Sequence, residues 1–263
     1  MIDLVELRGR KMDHSIFRPH RIEFHILVLA TGGRGWHMVD FVRHPIDRGA
    51  VVHIAPGQVQ LYDGENDVTG FLVLFQPEVC GIEVSHSHWP PCFRGTIEDF
   101  ELLESLARLM LDLKTRELST APDRVAWRLL SAVVELCDGI VIRHLDRDGV
   151  PHSVEFAAFD ALLEKGFAQH RELSWYAREL GYSQKTLTRW CRRVVGINAK
   201  AHIDRRVVLE AKRLLVHTDH SVESIGTRLG FSESTNFVKF FKRVESMTPS
   251  AFRDSYDLPA RRA

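Results

Sequence analysis

Two short helical faces in the last third of this chain carry side chains suited to binding a polyanion and reading hydrogen-bonding edges. In "QKTLTRWCRR", Lys185, Thr188, Arg189 and Arg192 fall at i, i+3, i+4 and i+7, which is one stripe of a helix. In "STNFVKFFKR" the corresponding stripe is Ser234, Thr235, Val238, Lys239 and Lys242, with Asn236 at its edge and Arg243 beyond it. Lysine and arginine bind phosphate oxygens or guanine edges. Asparagine, serine and threonine bond base edges, and a methyl group can touch thymine. A solvated helix face carries similar lysines, so one such stripe decides little. Its duplication decides more.

Each stripe must be held by an apolar face and a turn, and the sequence supplies both twice. The buried face of the first is Leu187, Trp190, Cys191 and Val194. That of the second is Phe237, Phe240, Phe241 and Val244. "YARELGYS" and "IGTRLGFS" lie 49 residues apart and align position for position. The small residues Ala177 and Gly226 let two helices cross closely. Gly181 and Gly230 suit the left-handed position that ends a first helix. Ser183 and Ser232 are expected to cap the second. This is the grammar of a helix-turn-helix, written twice and joined by a long amphipathic helix at 201–217. Residues 153–263 hold 19 Lys and Arg against 13 Asp and Glu, while the whole chain has 35 of each. The basic half implies a polyanionic partner, and the acidic half a different task.

The N-terminal half has another period. "EFHILVLA" (23–30), "WHMVDFV" (36–42), "AVVHIA" (50–55) and "GFLVLFQ" (70–76) read as short strands separated by "TGGRG", "DRG", "PGQ" and "DGEND". Such spacing predicts an all-β barrel or double-sheet roll. From Thr96 the pattern turns helical over 96–118 and 124–145, with Pro122 in the first turn of the second helix. One of these helices is read either as pairing with a second copy of the chain or as packing only on the β-domain. "DRDGVP" (146–151) reads as a linker.

No stretch approaches 18 consecutive apolar residues, and the N-terminus has no apolar leader core. Cys80, Cys92, Cys137 and Cys191 are scattered without a C-x-x-C pair, as in reduced thiols of a cytoplasmic protein. None has the sequence neighbours of an activated nucleophile, so no catalytic residue is assigned.

These residues resemble the AraC/XylS family of bacterial transcription regulators. The family pattern I-A-x-x-x-G-F…F-x-x-x-F-K…T-P-x-x-[FY]-R reads here "IGTRLGFSESTNFVKFFKRVESMTPSAFR" (225–253). The first unit and connecting helix match as well, including Arg206, Ala211, Leu214 and Leu215. Three departures stand out: Gly226 for alanine, Thr235 for serine, and Ser246 for glycine. Gly226 should loosen its helix by about 1 kcal/mol. Ser246 costs strain if its position is left-handed. The resemblance implies an α+β chain: a cupin-like effector-sensing domain (1–95), a helical dimerisation or linker segment (96–147) and a double helix-turn-helix DNA-binding domain (153–263).

Carried over by position, the resemblance implies base readers at Gln184, Lys185, Thr188 and Arg189, then at Ser234, Thr235, Asn236 and Lys239. Arg192 is expected among the DNA-binding residues, and Lys242 and Arg243 on phosphates. The implied partners are double-stranded DNA, a small-molecule effector, RNA polymerase and a second copy of the chain, with no membrane and no cofactor. Polar residues expected near the effector are His20, Glu23, His37, His53, Gln60 and Tyr62. A metal-binding cupin would need two histidines one residue apart, a glutamate and a later third histidine. Here Ile22 and Gln60 stand at two of those places, and His86 and His88 are loop histidines. No metal is expected. The rival readings are a metal-dependent cupin enzyme fused to a DNA-binding module, a DNA-repair methyltransferase with a similar module, and a non-specific nucleic-acid binder.

Overall fold

The structure is a computed structural model that describes residues 2–8, 19–62, 67–76, 89–116, 122–147 and 154–256. His86, His88, Cys80 and most of the linker at 146–151 lie outside them. The chain divides into two compact units, Met1–Asp148 and Gly149–Ala263. The expected α+β division holds: a sheet-rich unit precedes a helical one.

Among the described residues the N-terminal unit has nine strands: β1 (Ile2–Arg8), β2 (His20–Arg21), β3 (His25–Gly32), β4 (Arg34–Val39), β5 (Val42–Asp47), β6 (Ala50–Ile54), β7 (Val59–Tyr62), β8 (Thr69–Phe75) and β9 (Cys92–Arg94). They form two sheets of order β1-β8-β3-β6-β9 and β2-β7-β4-β5, with antiparallel neighbours throughout. Strand β3 is buried on both faces, which is why it reads as an unbroken apolar run. Ile26, Val28 and Ala30 join the core with Ile22, Val39, Ile46, Val52 and Ile54. Leu27 and Leu29 face the other way, toward helices α1 (Ile97–Arg116) and α2 (Pro122–Arg147). Phe100, Leu103, Ala107 and Met110 of α1, and Leu130, Val133, Val134 and Cys137 of α2, complete that second core. Both helices pack on the sheet, while Leu102 and Leu109 of α1 remain exposed.

The segment expected as one strand at 36–42 is strand through Val39 and again from Val42, but a hairpin turn at Asp40 and Phe41 splits it between β4 and β5. Val39 pairs with Val42, and Asp40 (φ 47°) and Phe41 (φ 69°) are both left-handed. That is the geometry of a two-residue hairpin, which glycine or asparagine usually signals. Here the Asp40 carboxylate anchors it by accepting from Val59 N (3.1 Å) and Gln58 Nε2 (2.8 Å).

The C-terminal unit is helical: α3 (Val154–Gly166), α4 (Leu173–Glu179), α5 (Gln184–Val194), α6 (Ala199–His217), α7 (Val222–Arg228), α8 (Ser234–Glu245) and α9 (Pro249–Tyr256). The two repeats end their first helices identically. Gly181 and Gly230 have φ +71° and +75°. Tyr182 N bonds Ala177 O at 2.9 Å, and Phe231 N bonds Gly226 O at 3.0 Å. These are the six-to-one bonds of a Schellman ending. Ser183 caps α5 as expected, accepting from Thr186 N at 3.1 Å.

Ser232 does not cap α8. The cap position falls on Glu233, whose side chain makes no capping bond. The second repeat has one more residue between glycine and helix, so α8 starts later and Glu233 takes the Thr235 hydroxyl instead.

Ser246 ends α8 with φ 63°, at the place Gly196 fills in the first repeat with φ 73°. A left-handed serine costs about 1–2 kcal/mol, of which glycine's greater freedom when unfolded returns part. Ser246→Gly is expected to stabilise this unit by about 1 kcal/mol, read as a higher urea midpoint with unchanged slope. Gly226 also has a local reason. A Cβ there would lie 3.1 Å from Phe237 Cβ, so the missing methyl makes room for the ring that anchors α8.

Candidate nucleic-acid interface

Helix α5 turns Leu187 and Cys191 inward, where they meet Phe159, Leu163, Tyr176, Ala177 and Ile203. Its opposite face is open: Gln184, Lys185, Arg189 and Arg192 are exposed and Thr188 is half-buried. Helix α8 is anchored by Phe237 and Phe241, which are fully buried. They belong to a run of rings from Phe231 through Phe237, Phe241 and Phe252 to Tyr256, with neighbouring centroids 5.1–6.1 Å apart. Outward stand Thr235, Asn236, Lys239, Lys242 and Arg243, with Ser234 half-buried. Each recognition face therefore follows from its helix being pinned along the other side. Among the described residues, Lys185, Arg189, Arg192, Lys239 and Lys242 make no ion pair, so their charges are available to an outside partner.

Arg243 is the exception among the expected cations. Its guanidinium donates to Asp204 Oδ2 at 3.0 Å. Asp204 is 5% exposed and also receives Lys200 Nζ on Oδ1 at 2.7 Å. Lys200 in turn donates to the carbonyl of Arg171 (3.0 Å). Arg171, in the turn after α3, donates to Gly230 O (2.9 Å) and lays its guanidinium 3.7 Å above the Phe231 ring. Gly230 packs so closely that a Cβ would come within 2.5 Å of Ala168 O. The second repeat is thus gripped at the turn before α8 and near the end of α8, by residues of the first repeat and the connecting helix. The sequence gives no local sign of this grip, because its members are tens of residues apart and each is an ordinary surface cation or acid by type.

The six polar residues expected near an effector separate into two groups. His20, His37, Gln60 and Tyr62 line a cavity of about 160 Å³ between the sheets, with Leu7, Ile22, Phe24, Ile26, Val28, Leu72 and Leu74. Glu23 is exposed and does not line it. His53 faces the helices instead, because Val52 and Ile54 take the cavity side of β6 and alternation turns His53 away. It lies 3.0 Å from His25 ring to ring, with Trp89 edge-on at 4.9 Å.

Within the cavity, His37 Nε2 donates to Gln60 Oε1 at 2.6 Å, and Gln60 Nε2 donates to His20 Nε2 at 2.6 Å. Burial lowers the His37 pKa to about 4, so the ring is neutral at pH 7. Among the described residues, no group of three or more His, Cys, Asp or Glu side chains could hold a metal ion. Burial pushes the thiols of Cys92, Cys137 and Cys191 up, that of Cys191 to about 12, opposite to an activated nucleophile. No helix among the described residues is long and apolar enough to cross a membrane.

Comparison with known proteins joins the two units. Residues 2–131 match the model of the AraC-like ligand binding domain, and residues 176–255 that of a helix-turn-helix domain. The chain is 24% identical over 262 residues to the HTH-type transcriptional activator RhaS of Enterobacter sp. (strain 638), covering 94% of this chain and 91% of the relative. The RhaS of Klebsiella pneumoniae (strain 342) is likewise 24% identical over 261 residues, with the same coverage. Among solved structures, ToxT from Vibrio cholerae O395 aligns over 98% of both chains at 12% identity, with a TM-score of 0.45. The DNA-binding domain of AdpA in complex with a target DNA aligns over 40% of this chain and 94% of that one at 26% identity, with a TM-score of 0.36.

Proposed function

Because the chain belongs to the AraC family of transcription regulators, we propose that it reads a specific DNA site with α5 and α8 and answers to a small molecule held in its N-terminal unit. The supporting observation is the duplicated helix-turn-helix whose two outward faces carry unpaired cations and short hydrogen-bonding side chains. Helices of this kind enter adjacent major grooves, about 34 Å apart along one face of the duplex. Gln184, Lys185, Thr188, Arg189, Ser234, Thr235, Asn236 and Lys239 touch base edges. Arg192 and Lys242 neutralise phosphates, with Arg243 available to do so only if it leaves Asp204.

The relatives named as transcriptional activators support activation, with the protein placed beside RNA polymerase in the cytoplasm. Homodimerisation through α1 is supported by Leu102 and Leu109, exposed one heptad apart on a helix that otherwise packs on its own sheet. Residues 1–95 serve as the sensing domain, 96–147 as the dimerising segment and 153–263 as the DNA-binding domain.

Selection of binding sites from random duplexes with the full-length protein tests this reading. Specific enrichment at fixed salt separates it from a non-specific binder. Arg189→Ala is expected to cost about 1–3 kcal/mol in site affinity and to relax preference at one position. A variant with unchanged affinity and unchanged sequence preference would remove Arg189 from the interface.

A further inference from the structure

The cavity between the two sheets restricts what can enter it. We infer that its ligand is an uncharged single-ring molecule bearing one hydroxyl or N–H group, of the phenol class, which donates its hydrogen bond to Nδ1 of His37. This rests on the reading of the N-terminal unit as a ligand-binding domain and adds the chemistry of what it binds.

Three observations carry the inference. The first is charge. Among the described residues the lining has no Asp, Glu, Lys or Arg. A carboxylate, phosphate or ammonium would lose its water with no opposite charge in the lining to replace it. The second is size and polarity. Seven of the eleven lining residues are Leu, Ile, Val or Phe. A cavity of about 150 Å³ lined by such side chains accommodates benzene, and this one measures about 160 Å³. A sugar of the same bulk would leave most of its hydroxyls without partners.

The third is an unanswered hydrogen bond. Gln60 Oε1 can only accept, so His37 carries its proton on Nε2. Nδ1 of the neutral ring is then an acceptor. It is buried and has no hydrogen-bond partner among the described residues. The relay through Gln60 to His20 holds the ring in this tautomer. Nε2 of His44, across the strand pair from His37, is a second buried nitrogen without a partner, but His44 does not line the cavity. His37 is therefore the acceptor a ligand meets.

The test is a binding titration of the full-length protein at neutral pH with phenol, anisole, toluene, benzoate and a hexose, each alone. Phenol is expected to bind roughly tenfold or more tightly than anisole or toluene, because those leave His37 Nδ1 unpaired. Benzoate and the hexose are expected not to bind. This ligand series needs no altered protein. In His37→Phe the preference for phenol over toluene should fall to near unity. Equal binding of phenol and anisole, binding of benzoate or the hexose, or binding of none of the five overturns the inference. Selection of DNA sites with the same preparation is read separately. Intact sequence preference beside failed ligand discrimination removes the ligand class alone, whereas absent sequence preference removes the regulator reading.

Discussion

At pH 5 the N-terminal unit is expected to be less stable than at pH 8 by on the order of 5 kcal/mol. The cause is three buried histidines. His25 and His53 stack with centroids 5.3 Å apart, enclosed by Phe75 and Trp89. His37 sits in the cavity wall. Burial lowers the pKa of His25 and His37 to about 4 and that of His53 to about 3, and the charge of its neighbour His25 lowers His53 further. In the unfolded chain each titrates near the ordinary 6.5. Between those values the unfolded chain binds protons that the folded one refuses. Stability is therefore fully present above pH 6.5 and falls as the pH drops toward 4, at about 2 kcal/mol for each histidine by pH 5. A domain of ordinary stability has only about 5–15 kcal/mol to lose. Urea titrations of the full chain at pH 8 and pH 5, with limited proteolysis to show which unit opens, measure the effect. Equal midpoints for the N-terminal unit would mean that these rings are not buried neutral in the native protein.

Gly230→Ala is expected to destabilise the C-terminal unit by about 3 kcal/mol, and Gly181→Ala by only about 1 kcal/mol. Both glycines hold nearly the same left-handed φ, so the backbone cost is shared. The surroundings differ. A Cβ at Gly181 meets nothing within 4 Å, whereas one at Gly230 lies 2.5 Å from Ala168 O. That oxygen is backbone, so relief requires moving the turn after α3 away from the turn before α8. Doing so also stretches the bond from Arg171 to Gly230 O. The two substitutions are internal controls for each other within one molecule. Hydrogen exchange of the helical unit in the full-length variants reports both. Equal losses would show that the contact with Ala168 has no energetic weight.

Much of this architecture is legible in the residues themselves. The repeat is visible because glycine at a helix ending, a small residue four before it and a phenylalanine or leucine stripe are each dictated locally. Helices α1 and α2 show their period for the same reason. What the residues hide depends on register or on distant partners. His53 reads as a cavity residue until the alternation of β6 is fixed by its pairing with β3. Glu23 precedes β3 and faces solvent, which no local pattern indicates. The β4–β5 hairpin escapes notice because Phe41 stands where such a turn usually has glycine, and the carboxylate that secures the turn is bonded from β7. The late start of α8 follows from one inserted residue. Strand β1 is masked by its many charged residues, although Leu4 and Leu7 supply one apolar side chain to each core.

On the proposed reading, the grip of Arg171 on Gly230, and of Asp204 on Arg243, makes α5 and α8 a gauge of fixed length rather than a hinged pair. A gauge does not adjust, so any disagreement with the pitch of the duplex is absorbed by the duplex. Base pairs between the two contacted segments then matter through how readily they deform, and flexible pyrimidine–purine steps there lower the cost. The recognised sequence is in this way longer than the set of bases that any side chain can touch.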